Sequence, residues 1–264
     1  MTIDGFHHTG VVTRDLDGLA ARYTALGFAV SPRSRHLLSP EPGSPPVPGC
    51  TANQCVYLGN AYIELLGILD ETSPDPWHSR TMGTGFRLLN FETPDAAAAA
   101  EALASAGVPA SGVLDLERDV RTPDGVRTLR ARAVHLDPRR TPEGYVGVAQ
   151  HLTRDHVRGV AHPNGARRLA AVRISAADTD FDAIVDRYAR LLGLPSAPPG
   201  PIAVLPAGDA RLEIVRGPVS RLEAMTIAVA DLAHARRTVE AGGTPVTATG
   251  SGFCAGCLFF EETA

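Results

Sequence analysis

The chain has 264 residues, 44% of them hydrophobic and 20% charged, which suits one large folded domain or two smaller ones. Its 25 basic and 29 acidic residues are interspersed and leave a net charge of −4, so no basic footprint for nucleic acid is present. No apolar run approaches the ~20 residues that span a bilayer, and residues 1–6 lack the basic and apolar regions of a signal peptide; the expected compartment is the cytoplasm, with no membrane partner.

The order of elements is strand, helix, strand, strand, strand. Residues 6–13 alternate and are rich in valine, as a strand should be. Asp15 then caps a segment with Leu16, Leu19, Ala20, Tyr23 and Leu26 at helical spacing, and Gly27 ends it. A second strand is expected from Phe28 to Ser31, then a proline-rich loop over 31–49. Strands over 53–58 and 61–69 follow, joined by a Gly59-Asn60 hairpin turn.

The same order recurs. A strand over 86–92 leads to an alanine-rich helix opened by Asp95 and closed by Gly107, with strands near 113–120, 127–136 and 145–152. A third copy starts at 168–175, and its helix carries Phe181, Ile184, Val185, Tyr188, Leu191 and Leu192 on one face. A fourth runs from 222–229 through a helix opened by Asp231 to strands over 245–249 and 257–261. A repeated unit of this kind needs a second copy to complete its sheet, which predicts an α+β fold of βαβββ modules forming curved, barrel-like mixed sheets with helices outside. Turn residues over 155–167 set the expected boundary. Residues 1–158 are one domain of two paired modules, and 159–264 a second, degenerate pair of shorter βαββ(β) modules.

The strand His8-Thr9-Gly10-Val11-Val12, the following Thr13-Arg14-Asp15-Leu16-Asp17 and a helix ending Leu26-Gly27-Phe28 together resemble the opening module of the vicinal oxygen chelate superfamily. A narrower likeness, to its glyoxalase-like domain group, lies in His36, in Cys50-Thr51-Ala52-Asn53 and in Tyr62-Ile63-Glu64-Leu65-Leu66, with Cys50 where glycine is usual. The resemblance implies a histidine on the first strand of a module and a carboxylate or second histidine on the last, converging inside a curved sheet.

Alternation places Phe6, His8, Gly10 and Val12 on one face and His7, Thr9 and Val11 on the other, so His8 takes the ligand position and His7 is expected to face the helices. Glu64, in an apolar strand, is costly to bury unless paired or metal-bound, and is also the candidate general base. In the second module Leu88 occupies the place of His8, and Gln150-His151 ends the last strand. His151 is the third expected ligand, with Gln150 its competitor should the register slip by one residue. His8, Glu64 and His151 make a set able to hold Fe(II), Zn, Mn or Ni with open positions. Asn53, His36, Gln150 and two arginines of the proline-rich loop, Arg33 and Arg35, are the expected substrate contacts, the loop serving as a lid. The first-strand positions of the third and fourth copies are Ala171 and Ala224, so the second half is expected to be a scaffold, a cover or the surface of a homodimer.

Cys254-x-x-Cys257 with Cys50 and Cys55 is a weak zinc pattern; packing roles are expected instead. Gly250-x-Gly252 lacks the strand–loop–helix setting of a phosphate loop. Two function classes stay open. One is a metal-dependent lyase, isomerase or dioxygenase acting on a small oxygenated carbonyl compound. The other is a non-catalytic protein that encloses a small molecule.

Overall fold

The computed structural model describes residues 2–59, 61–122, 124–156, 159–195 and 200–263. Strand β1 (Gly5–Thr13) leads to helix α1 (Leu16–Ala25), then β2 (Ser34–Leu38), β3 (Val47–Leu58) and β4 (Ala61–Ile68). The second copy comprises β5 (Gly85–Glu92), α2 (Ala96–Ser105), β6 (Leu114–Thr122), β7 (Gly125–His135) and β8 (Tyr145–His151). These eight strands close into a barrel in the order β1-β4-β3-β2-β6-β7-β8-β5, which leaves no exposed edge. Each module contributes one half, and the halves meet where β1 pairs with β5 and where β2 pairs with β6. Helices α1 and α2 start where aspartates cap them: Asp15 accepts from the Gly18 amide and Asp95 from those of Ala97 and Ala98.

The third copy supplies β9 (Ala166–Ala176), α3 (Phe181–Leu191), β10 (Ile202–Ala207) and β11 (Ala210–Arg216). The fourth supplies β12 (Arg221–Val229), α4 (Leu232–Ala241), β13 (Thr247–Thr249), β14 (Gly252–Ala255) and β15 (Leu258–Glu262). They form one open sheet, β10-β11-β9-β12-β15-β14-β13. Strands from the barrel's outer face and from this sheet share a continuous core, in which Phe6, Leu65 and Phe91 pack in one cluster with Val172, Tyr188 and Met225. The Thr9 hydroxyl, pointing out of the barrel, donates to Met225 Sδ at 3.0 Å. Among the described residues, no helix is long and apolar enough to cross a membrane.

The structure corrects several expectations. The second strand lies over Ser34–Leu38 rather than 28–31, and β3 begins at Val47, so only 39–46 separates them and no long lid loop spans 31–49. The burial pattern of β2, with Ser34, His36 and Leu38 inward and Arg35 outward, supplies the period-two signal that the neighbouring prolines obscured. In the fourth copy, β14 adds a strand that was not expected, and Gly250 sits in the turn joining β13 to β14. The turn at Gly59-Asn60 includes Asn60, which lies outside the described residues. Cys50 and Cys55 belong to β3, while Cys254 is on β14 of the other sheet, and all four cysteines are free.

Candidate functional site

A cavity of about 80 Å³ occupies the barrel interior. Strand alternation sets most of its wall. His36 and Leu38 face it from β2, Asn53 from β3, and Tyr62, Glu64 and Leu66 from β4. Leu88 and Asn90 face it from β5, Leu116 and Arg118 from β6, and Leu129, Ala131, Ala133 and His135 from β7. Gly10 is required where β1 crosses β5, since a Cβ there would come within 2.4 Å of Leu88 Cδ1.

One wall residue breaks the alternation. On β1, Phe6 pairs with Phe91 and His8 with Asn90, so His7 is an extra residue opposite one step of β5. A bulge of this kind re-aims a side chain. His7 therefore lines the cavity beside His8 instead of facing the helices, and Phe6 packs against Phe91 with the rings tilted by 36°. The two imidazoles share an Nδ1-to-Nδ1 hydrogen bond of 2.6 Å, one ring donating and the other accepting.

Glu64 lies at the centre of one polar group. Its Oε1 accepts from Asn53 Nδ2 at 2.6 Å, and His36 Nε2 is 3.6 Å from the same oxygen. Its Oε2 lies 3.7 Å from His8 Nε2, which also meets Asn90 Nδ2 at 3.0 Å. Burial raises the Glu64 pKa, opposed by the Asn53 hydrogen bond and by Arg118. Burial also lowers His8 and His36 to about 3, so both rings are neutral at neutral pH.

A second polar group adjoins it at the end of the barrel where β1 begins and β5 and β8 finish. His7, Glu92 and His151 each offer a ligand atom, all within 4.8 Å of one another, and His7 Nε2 is 3.9 Å from Glu92 Oε2; among the described residues no other group of three His, Cys, Asp or Glu does so. The His151 ring stacks on His7, with centroids 4.2 Å apart. Each of the three residues has a buried atom without a hydrogen-bond partner: His7 Nε2, Glu92 Oε2 and His151 Nδ1. Unpartnered buried polar atoms are rare in folded proteins. Burial pushes His151 down to about 3 and His7 well down, which leaves both imidazoles in the neutral form that binds metals. Burial lifts Glu92 to about 7, opposed by Arg154, whose guanidinium holds the other carboxylate oxygen at 3.2 Å.

This donor set fits a divalent cation. Ligand atoms around such an ion stand ~3.4 Å apart at ~2.1 Å bonds, slightly closer than they stand here, and two histidines with one carboxylate suit Zn, Mn, Fe or Ni. The hydrogen bonds behind His7 fit as well. The Asn90 amide sets the tautomer: with Nδ2 donating to His8 Nε2, the chain leaves the proton on His7 Nε2. With the amide turned over, Oδ1 accepts from His8 Nε2–H, His8 Nδ1 accepts from His7 Nδ1–H, and the His7 Nε2 lone pair is free for a metal.

Of the residues singled out in the sequence, His8, Glu64, Asn53 and His36 meet in the cavity. His151 groups with His7 and Glu92, and no ion pair joins it to Glu64. Gln150 points the other way: its Oε1 accepts from the Ala96 amide and its Nε2 donates to the Pro94 carbonyl, closing the start of α2. Arg33 pairs with Asp17 at the surface, and Arg35 is exposed. His7, Glu92 and Arg118 were missed. Glu92 carried the signal that marked Glu64, an acid in an apolar strand, whereas the bulge that turns His7 inward has no local signature.

Comparisons with known proteins agree with this architecture. The family model for the glyoxalase-like domain matches residues 6–192. Over its full length the fold is similar to that of a hypothetical protein from Staphylococcus aureus, at a TM-score of 0.64 and 13% identity, covering 98% of this chain and 99% of that one. It is also similar to a mutant of 4-hydroxymandelate synthase from Streptomyces coelicolor (TM-score 0.59, 10% identity, 94% and 78% covered). A xylose isomerase-like TIM barrel/4-hydroxyphenylpyruvate dioxygenase fusion protein matches at a TM-score of 0.54 and 14% identity over 93% of this chain and 40% of that one. No curated protein matches the sequence. Paired βαβββ modules closing around a polar cavity define the vicinal oxygen chelate class. Within it, the chain belongs to the glyoxalase-like domain family.

Proposed function

We propose that the barrel is the active site of a metal-dependent enzyme acting on a small oxygenated carbonyl compound. The observation that carries this reading is the convergence of ligand atoms of His7, Glu92 and His151 from β1, β5 and β8, each residue also holding a buried atom without a hydrogen-bond partner. His7, Glu92 and His151 would hold a divalent ion there, which would supply Lewis-acid stabilisation of developing negative charge.

The chain's own residues do the rest. Glu64, fixed on one side by the Asn53 amide and facing His8 on the other, is placed to take a proton from a carbon beside the carbonyl. Glu64 keeps that proton beside the substrate, His8 lies against its second oxygen, and the closed barrel limits water. Lyase and isomerase outcomes share this first step, whereas a dioxygenase outcome would require Fe(II) and dioxygen in place of it. Residues 1–158 carry the chemistry in this reading, and 159–264 buttress the barrel from outside.

A ligand set of His8, Glu64 and His151 is the competing arrangement, and metal analysis separates the two. Purified protein dialysed against zinc or manganese should retain about one equivalent per chain. Glu92→Gln and His151→Ala should lower retention at least tenfold, and Glu64→Gln should leave it within twofold. Loss on Glu64→Gln but not on Glu92→Gln would move the ion to the competing set. Wild-type protein that retains no metal would favour the non-catalytic binding role, for which Leu88 in a ligand-equivalent position of the cavity wall speaks.

A further inference from the structure

Arg118 lies on β6 with 2% of its surface exposed and lines the barrel cavity. The residue also borders an outer groove of about 650 Å³ lined by Ala29, Ser31, Tyr57 and Val120. Its hydrogen bonds go from one nitrogen, Nη2, to Tyr57 Oη at 3.2 Å and Cys55 Sγ at 3.7 Å. Neither partner carries charge at neutral pH, because burial pushes the Cys55 thiol up to about 11 and the Tyr57 phenol higher still. Among the described residues Arg118 makes no ion pair; its charge acts on the buried Glu64 without contact, and the nearby imidazoles of His8 and His36 are neutral.

A buried guanidinium without an anion is costly, and its fork of donors matches a carboxylate two-pronged. Here the buried Glu64 carboxylate feels the charge of Arg118 but makes no ion pair with it, and the cavity is small. We propose that Arg118 is the anchor for the carboxylate of a small anionic substrate, held in the barrel between Tyr57 and the His8–Glu64 pair. This rests on reading the barrel cavity as the substrate site and is independent of the metal. Arg118 selects the charge of the ligand.

The test uses full-length protein, both as purified and after metal removal by chelation, with lactate and pyruvate as probes against lactamide and pyruvamide. Ligand-observed NMR titration should show saturable binding of the acids and at least tenfold weaker binding of the amides. Arg118→Met should weaken the acids at least tenfold. Arg118→Lys should retain part of the affinity, because it keeps the charge but not the fork. Without ligand, the Arg118→Met variant should melt no lower than wild type, because it removes a buried charge that has no ion-pair partner. A purely structural arginine would give the opposite, a clear fall in Tm with unchanged binding. Equal binding of acids and amides, saturation by inorganic phosphate but not by the acids, or no saturation by any probe would overturn the assignment. Acid binding that survives metal removal supports it even if the metal site fails, and metal retention in Arg118→Met separates the two claims in the other direction.

Discussion

Glu64 keeps its place through one short hydrogen bond, and that bond decides how the cavity is organised. Asn53 Nδ2 holds Oε1 at 2.6 Å on the neighbouring strand, which leaves Oε2 turned to His8. Asn53→Ala leaves a buried carboxylate oxygen without its donor and should cost ~1–3 kcal/mol in unfolding free energy. Denaturant titration checks this, and a change under 0.5 kcal/mol would mean that Glu64 finds another donor. At this scale the sequence was only partly legible. His8, His36, Asn53 and Glu64 could be picked out because polar residues in apolar strands need a reason to be there. His7 could not, since its inward direction depends on an extra residue opposite β5. Arg118 could not either, because Leu-Asp-Leu-Glu-Arg-Asp-Val-Arg-Thr looks like a strand with a charged solvent face.

Elements were easier to find than side-chain directions. Capping aspartates at Asp15, Asp95 and Asp231 mark three of the four helix starts, and each accepts from backbone amides of the first turn. The strands that alternate cleanly were placed to within a few residues. Strand β2 was displaced because the Pro32 neighbourhood and the prolines of 40–48 read as loop, although Ser34, His36 and Leu38 alternate inward. The crossing of β1 and β5 depends on Gly10, where an added methyl would overlap the Leu88 side chain. Gly10→Ala should therefore destabilise the barrel by ~1–3 kcal/mol, and the double change Gly10→Ala with Leu88→Ala should recover part of the loss. A single variant as stable as wild type would show that the two strands can part without cost.

The whole molecule is tied together by a buried ion pair as well as by its shared core. Glu143, between β7 and β8, accepts from Arg187 Nη2 at 2.7 and 2.8 Å and from the Tyr188 hydroxyl at 2.8 Å, joining the barrel to α3. Glu143→Ala strands the partly buried Arg187 and should cost ~3–5 kcal/mol; thermal denaturation measures it. Acid should weaken the fold for a separate reason. Burial lowers His36 to about 3 and His135 to about 4, from an ordinary 6.5. The unfolded chain then binds protons that the folded chain refuses, so this stability is complete above pH 6.5 and declines as pH falls toward 3–4. Unfolding free energy should drop between pH 7 and 4.5, and His36→Gln with His135→Gln should flatten that slope. The pairing of modules into a barrel was foreseeable from their repetition, whereas the outer sheet's role as a buttress depends on contacts between distant segments.

The most direct test of the central claim is X-ray absorption on the zinc-loaded protein. A cation held by His7, Glu92 and His151 predicts two imidazole ligands and the rest oxygen donors, unchanged in Glu64→Gln and reduced to one imidazole in His151→Gln. A spectrum that loses an imidazole in His8→Gln while His7→Gln leaves it intact would contradict that assignment.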